Sequence, residues 1–425
     1  MRILLKNGRI VSPLNGLDGI FDVLVENGKI KQIAKRINCE DCKIYDLTRM
    51  IVVPGLIDMH VHFREPGRED AEDIESGAKA AAKGGFVAVA MMPNTEPPVD
   101  DPLRVRFVVE KGKMTDIYVF PVGSFTKGRQ GKELAEMVMM AEEGAVAFSD
   151  DGFPVSDPLL LRRGLEYLKI IDGIYLDHAE DRSLSMGGVA NESYITAKLG
   201  LKGIPWISEA AAVARDVYIA EFTKSKIHIQ HVSSAKTLEV IEQAKARGAN
   251  VTCEVTPHHL VLDETHLETY DTNFKMNPPL RSAEDKEALQ EALSSGLIDV
   301  IASDHAPHTR DDKEVEFDVA PFGVIGLETT VPVIWDKLVE KKKITVERFV
   351  ELLSVNPARI LGLEGFGKIE KDGPAHITVI DPKKEITVNS EEFASKSRNT
   401  PFEGWKLKGA AVLTIVNGKI AFESF

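Results

Sequence analysis

Between residues 51 and 365 the chain alternates short apolar, β-branched runs with longer stretches of helical spacing, such as Glu133 to Glu143 and Glu209 to Lys224. Apolar runs of strand length separated by helix-length segments mark a parallel sheet, because parallel neighbours must be joined by a crossover of a dozen or more residues. Eight such runs occur, at about 51–62, 84–93, 117–124, 144–150, 173–178, 227–232, 250–256 and 298–304. Eight strand–crossover units fit an α/β fold of the closed (β/α)8 TIM barrel type. The alternative, a doubly wound open sheet, lacks support because no G-x-G-x-x-G follows the first strand.

Outside that region the pattern changes to β-formers flanking Asn-Gly, at Asn7-Gly8, Asn27-Gly28 and Asn417-Gly418. Each reads as a hairpin with a type I′ turn, since Asn and Gly tolerate the two positive φ angles that turn requires. Two lie near the start of the chain and one near its end. The expected second unit is therefore a small β-sandwich domain made by both termini, residues 1–50 and 366–425, with the barrel of 51–365 inserted in it.

Composition narrows the classes of function. With 43% hydrophobic and 28% charged residues the chain is globular, and a net charge of -14 leaves no basic footprint for nucleic acid or an anionic membrane. An anionic ligand would have to be captured locally. No apolar run approaches the length of a membrane span, and the first residues carry charges where a signal peptide needs an apolar core. A cytoplasmic location is expected. Cys39 and Cys42, in Cys39-Glu40-Asp41-Cys42, lack a second Cys or His pair nearby and read as two ordinary thiols in a loop. Cys253 alternates with Val251 and Val255 and reads as core.

The candidate chemistry lies at the ends of the expected strands. His60 and His62, in Asp58-Met59-His60-Val61-His62, are two apart on a strand and so share a face, which in a barrel is the interior near the catalytic mouth. Alone, the pair could equally be two core histidines. His178, His231 and Asp304 also end expected strands, and four imidazoles with a carboxylate on one rim match the N/O ligand set of Zn²⁺. Asp150 and Asp151 follow a further strand, where alternation favours Asp151 as the inward carboxylate. His258, His259 and His305 also lie near strand ends.

His-x-His, single histidines after strands five and six, and an aspartate after strand eight resemble the amidohydrolase superfamily over essentially the whole chain. Within it, His60-Val61-His62-Phe63-Arg64-Glu65-Pro66-Gly67, Met92-Pro93-Asn94-Thr95, Ser149-Asp150-Asp151-Gly152, Met276-Asn277-Pro278-Pro279-Leu280-Arg281 and Ser303-Asp304-His305-Ala306-Pro307-His308 resemble the long bacterial class of dihydroorotases. The resemblance implies one or two Zn²⁺ per subunit. His60, His62 and Asp304 would bind one metal, His178 and His231 the second, and Asp151 would bridge them in place of the carboxylated lysine of many relatives. It implies reversible conversion of N-carbamoyl-L-aspartate to (S)-dihydroorotate, the third step of UMP synthesis, with Asp304 as the catalytic proton carrier. His62, Arg64, Asn94, Asn277, His308 and the backbone of Phe322 and Gly323 would contact the substrate.

Arg64 also makes a physical case of its own, because a guanidinium fork matches a carboxylate. The stretch from His308 to Gly323 is long and charged enough for a mobile lid, or for an irregular surface loop. Competing readings are another cyclic amide hydrolase, such as allantoinase or dihydropyrimidinase (hydantoinase), and a non-catalytic dihydroorotase-like partner of aspartate transcarbamoylase. Expected partners are the small-molecule substrate, a second copy in a homodimer, and aspartate transcarbamoylase.

Overall fold

The computed structural model describes residues 2–425. Its strands are β1 (Arg2–Ser12), β2 (Leu17–Glu26), β3 (Lys29–Ala34), β4 (Lys43–Asp46), β5 (Ile51–Pro54), β6 (Leu56–Val61), β7 (Phe86–Met91), β8 (Tyr118–Ser124), β9 (Ala147–Ser149), β10 (Ile174–Asp177), β11 (Ala190–Asn191), β12 (Gly203–Ile204), β13 (Lys226–Ile229), β14 (Val251–Val255), β15 (Val300–Ile301), β16 (Ile377–Thr387), β17 (Lys406–Val416) and β18 (Lys419–Glu423). Eight of them form a parallel sheet in the order β6-β7-β8-β9-β10-β13-β14-β15. A parallel bridge from Val61 to His305, with His62 N–H donating to His305 O at 2.8 Å, joins the first strand to the segment after the last. The sheet thereby closes into the expected barrel. β11 and β12 are a small excursion on its rim.

Side chains from all round the barrel, including Met59, Ala90, Val122, Ala147, Leu176 and Val300, fill its interior as one apolar cluster. Met59 joins them because β6 carries an extra residue between Asp58 and Val61 opposite Val89 and Met91 of β7. A bulge re-aims the side chains beside it, so strict alternation along this strand does not hold next to His60.

Strands from both termini form a separate eight-stranded sheet, β18-β17-β16-β5-β1-β2-β3 with β4 on β1. Ile3, Val23, Val52, Ile377 and Leu413, from across that sheet, meet in one buried cluster. The single strand expected over 51–62 is in fact two. β5 pairs with β1 and β16 in the terminal sheet, and the chain enters the barrel through Gly55. A Cβ on Gly55 would lie 2.4 Å from Val87 Cγ2, so only hydrogen fits where the two sheets meet.

Two of the three Asn-Gly pairs turn hairpins, β2–β3 and β17–β18, with Asn27 and Gly28 at φ 51° and 81° and Asn417 and Gly418 at 48° and 70°. Asn7-Gly8 does not. β1 runs through it, and Asn7 at φ 62° serves a register shift against β2, its N–H donating to Asp22 Oδ1 at 2.9 Å. The turn falls instead at Pro13–Asn15, closed by Gly16 at φ 67°. Asn-Gly supplies a left-handed residue, which a bulge uses as readily as a hairpin.

The helix expected at Glu209 to Lys224 is Ile207–Thr223, capped by Lys224 in the left-handed conformation, whereas Glu133 to Glu143 yields only Met137–Glu142 because Leu134 bridges to Thr126. Cys39 and Cys42 are also corrected: their Cα atoms lie 6.0 Å apart and the pair is joined as a disulfide. Cys253 is buried core.

Candidate metal centre

Each candidate ligand outside β6 follows the C-terminal end of a barrel strand: Asp151 after β9, His178 after β10, His231 after β13 and Asp304 after β15. The side chains converge. His60, His62 and Asp151 present ligand atoms within 4.8 Å of one another, as do Asp151, His178 and His231, so Asp151 is common to both groups. Asp304 Oδ1 lies 2.9 Å from His62 Nε2 and 3.5 Å from His60 Nε2. Asp150 turns away: its carboxylate accepts from Phe125 N and Thr126 N at 3.0 Å and pins the neighbouring loop. His231 and Asp304 hold φ angles of 31° and 48°, a region unfavourable to residues with a Cβ and found where a site over-determines the backbone.

The outer nitrogens of three rings are already engaged. His60 Nδ1 faces Glu254 Oε1 at 2.6 Å, His62 Nδ1 faces Asn94 Oδ1 at 2.8 Å, and His178 Nε2 faces Glu180 Oε2 at 3.3 Å. Those oxygens only accept, so each ring must donate there and direct its other nitrogen's lone pair at the Asp151–Asp304 cluster. The buried Nε2 of His60 and Oδ1 of Asp151 make no hydrogen bond among the described residues. His178 Nδ1 and His231 Nε2 sit 2.9 Å apart. Neutral imidazole nitrogens and carboxylate oxygens left unpaired in a dry pocket fit a divalent cation.

The charges agree with that fit. Burial works against a proton on His60, yet the carboxylates of Glu254, Asp304 and Asp151 outweigh it and hold the ring well above the usual imidazole range. Burial likewise opposes a proton on His178, which Asp151 and Glu180 lift to about 10. Asp151 and Asp304 are kept below the ordinary carboxylate range despite burial, chiefly by His60. Burial keeps a proton off His62, but the carboxylates that draw one onto His60 and His178 would draw a cation as well, since metal and proton compete for the same lone pairs.

Around this cluster stand the residues expected to meet a substrate. Arg64 is half-buried, donates through Nε to Pro307 O at 3.1 Å, and is paired with no carboxylate among the described residues. Burial lowers it to about 10, and the carboxylates of Asp304 and Asp151 partly restore it. Asn94 gives its oxygen to His62, and Asn277 Nδ2 donates to Glu180 Oε2 at 3.2 Å. His308 Nε2 lies 2.8 Å from Phe322 O, and burial, with Arg64 and Lys313 nearby, brings it down to about 3. Gly323 N donates to Lys275 O at 2.9 Å and Gly323 O accepts from Lys313 Nζ at 3.0 Å. At φ 127° Gly323 is left-handed, and a Cβ there would stand 3.1 Å from His308 Nε2.

The 308–323 segment contains a short helix, Arg310–Lys313, and is tied by two buried amines. Lys313 Nζ donates to Pro321 O and Gly323 O at 3.0 Å, and Lys275 Nζ donates to Phe317 O at 2.6 Å. His305 is held by Glu72 and Gly326 N, and His259 by Thr256 and Pro278 O. Both are structural. The sequence reading missed Glu254. It lies on β14 with parity opposite to Val251, Cys253 and Val255, bonding His60 with one oxygen and His228 Nε2, at 3.1 Å, with the other. A glutamate alternating with buried apolar residues in a barrel strand was the available signal.

A dihydro-orotase-like family model matches residues 49–237, and an amidohydrolase family model matches residues 204–421. The chain is 49% identical over 425 residues to a dihydroorotase of Geobacter metallireducens, covering 100% of each. It is 51% identical over 422 residues to one of Geobacter sulfurreducens, covering 99% of each. Among solved structures it is similar to an L-hydantoinase (dihydropyrimidinase) from Arthrobacter aurescens, with a TM-score of 0.89 at 27% identity over 99% of this chain and 96% of that one.

Proposed function

The chain belongs to the dihydroorotase family of amidohydrolases, and from that premise we propose that it interconverts N-carbamoyl-L-aspartate and (S)-dihydroorotate at this centre. The observation that carries the reading is Arg64, a half-buried guanidinium without a carboxylate partner among the described residues, beside a cluster of imidazoles and carboxylates. An unpaired charge that has lost part of its water is costly, and a ligand carboxylate would relieve it. Dihydroorotate carries that group next to the amide to be opened.

His60, His62 and Asp304 would hold one cation, His178 and His231 a second, and Asp151 would be shared. Zn²⁺ is the ion we assign, in one or two copies, on the nitrogen and oxygen donors of the site. When bound, such an ion polarises a carbonyl and ionises water near neutral pH. Asp304, whose Oδ1 lies 2.9 Å from His62 Nε2, would hold the proton released from water and pass it to the departing ring nitrogen. Arg64, Asn94 and His308 would orient the substrate carboxylate, and His62, Asn277 and the Phe322–Gly323 backbone the ring. Phe322 O already meets His308 Nε2, and the second lone pair of the carbonyl would serve a ring N–H. Ring closure consumes a proton, so acid favours dihydroorotate.

A homodimer belongs to the same reading, supported by Leu159, Tyr218 and Phe222, which stand exposed on neighbouring helices. Association with aspartate transcarbamoylase and a cytoplasmic location are carried over from the family. No described helix is long and apolar enough to cross a membrane.

The test is turnover by the purified chain of dihydroorotate, dihydrouracil, hydantoin and allantoin in parallel. A site built around a carboxylate rejects rings that lack one, and dihydroorotate should exceed the others by at least about a hundredfold in kcat/KM. Equal or faster turnover of a ring without a carboxylate would overturn the reading.

A further inference from the structure

The segment between β16 and β17 leaves the terminal sheet and reaches the loops that follow β15 at the barrel mouth. Its base is closed by Val388 N–H to Trp405 O at 2.8 Å, and Ser397 Oγ donates to Ala71 O at 2.8 Å partway along. Phe402 is buried in a cluster with Val324, Val333 and Leu407. At the tip of this strap stands Asn399, only 4% exposed.

The amide of Asn399 meets three backbone groups at once. Nδ2 donates to Ala306 O at 3.0 Å and to Gly323 O at 3.1 Å, and Oδ1 accepts from His308 N at 3.3 Å. Its own carbonyl accepts from Ile325 N at 3.0 Å. Every hydrogen of the amide group is thereby used, and only an amide offers two donors and an acceptor in this outline. The two loops it joins follow β15 in the chain, one bearing His308 and the other Phe322 and Gly323. They touch each other through Ala306 N–H to Val324 O at 2.8 Å and through His308 Nε2 to Phe322 O.

We infer that Asn399 is a positioning residue for substrate recognition, with the terminal sheet's strap setting the spacing between the carboxylate-reading His308 and the ring-reading backbone of Phe322 and Gly323. The inference rests on the proposed function. Among the described residues Asn399 makes no hydrogen bond to a candidate metal ligand, so its loss acts on substrate binding while the cation centre stands. Aspartate has the same outline but turns an oxygen toward two carbonyl oxygens, the reverse of what the loops need.

The experiment compares wild type, Asn399→Ser and Asn399→Asp for dihydroorotate kinetics, cation content, thermal unfolding and amide hydrogen exchange. Wild type is assayed first: no turnover of dihydroorotate would defeat the proposed function, separately from this inference. With wild type active, Asn399→Ser is expected to raise KM at least about tenfold, with kcat changed less, cation content unchanged and the His308 amide exchanging at least about tenfold faster. Asn399→Asp should exceed it in KM. A KM within about twofold of wild type, or a fall in activity that tracks lost cation, would overturn the inference. If neither variant folds, exchange in the wild type decides it: the His308 and Ile325 amides must be slow, and rapid exchange at both would count against Asn399.

Discussion

At the scale of single residues the centre is organised by groups that bear no candidate ligand atom themselves. Glu254 fixes the proton of His60 on Nδ1, which frees Nε2 to point at Asp151 and Asp304. Burial disfavours its charge, but His60 and His228 bring the carboxyl down to about 2, so it is an anion throughout the physiological range. Outer partners of this kind commonly contribute about 10–100-fold to metal affinity. Glu254→Gln keeps the shape and removes the charge. Competition against a chelating dye should then show cation affinity reduced by about 10–100-fold with the circular dichroism of the fold intact; unchanged affinity would remove Glu254 from the centre.

What was legible at this scale followed the chain's own geometry. His60, His62, His178, His231 and Asp304 end apolar runs, and a strand's C-terminal end in a barrel faces the mouth whatever its neighbours are. Glu254 and Asn399 were hidden because their roles depend on partners far away in sequence, His60 for one and His308 and Gly323 for the other. The positive φ angles of His231 and Asp304 have no sequence signal either, since neither is a glycine.

At the scale of elements, the mouth is held by segments whose backbone bonds end on side chains. Lys313 is buried against carbonyl oxygens with no carboxylate partner among its bonds, and burial, with Lys275 beside it, brings it down to about 7. The unfolded value for lysine is about 10.4. Between about pH 7 and 10 the unfolded chain therefore carries a proton on Lys313 that the folded chain lacks, and stability contributed by this group rises with pH across that window. Below about pH 7 the destabilisation is present in full. Lys313→Met should flatten the rise, measured as the pH dependence of the urea midpoint; parallel slopes in wild type and variant would show that the amine stays charged in place.

Element boundaries were read least well where one local pattern serves two structures. Asn7-Gly8 and Asn27-Gly28 look alike, and the position of the partner strand decides which becomes a turn. The run 51–62 reads as one strand because Gly55 interrupts neither apolar stretch, although it passes the chain from one sheet to the other. The strap of 388–405 has too little periodicity to place, and its docking is set by Phe402 and Asn399 against distant loops.

For the whole molecule, the terminal sheet acts as a frame whose β5 feeds the barrel and whose strap returns to its mouth. The barrel interior below the site is packed with apolar side chains, which leaves the imidazoles and carboxylates above it dry and unpaired enough to demand a cation. Under the proposed function, an acidic chain of net charge -14 would rely on that cation and Arg64 to draw in an anionic substrate.

Anomalous diffraction from crystals of the active chain, recorded on both sides of the zinc edge, addresses that central claim most directly. Expected is a peak contacting Nε2 of His60 and of His62 at about 2.0–2.1 Å, with any second peak across Asp151 beside His178 and His231. Crystals that turn over dihydroorotate yet show no anomalous scatterer between these side chains would contradict it.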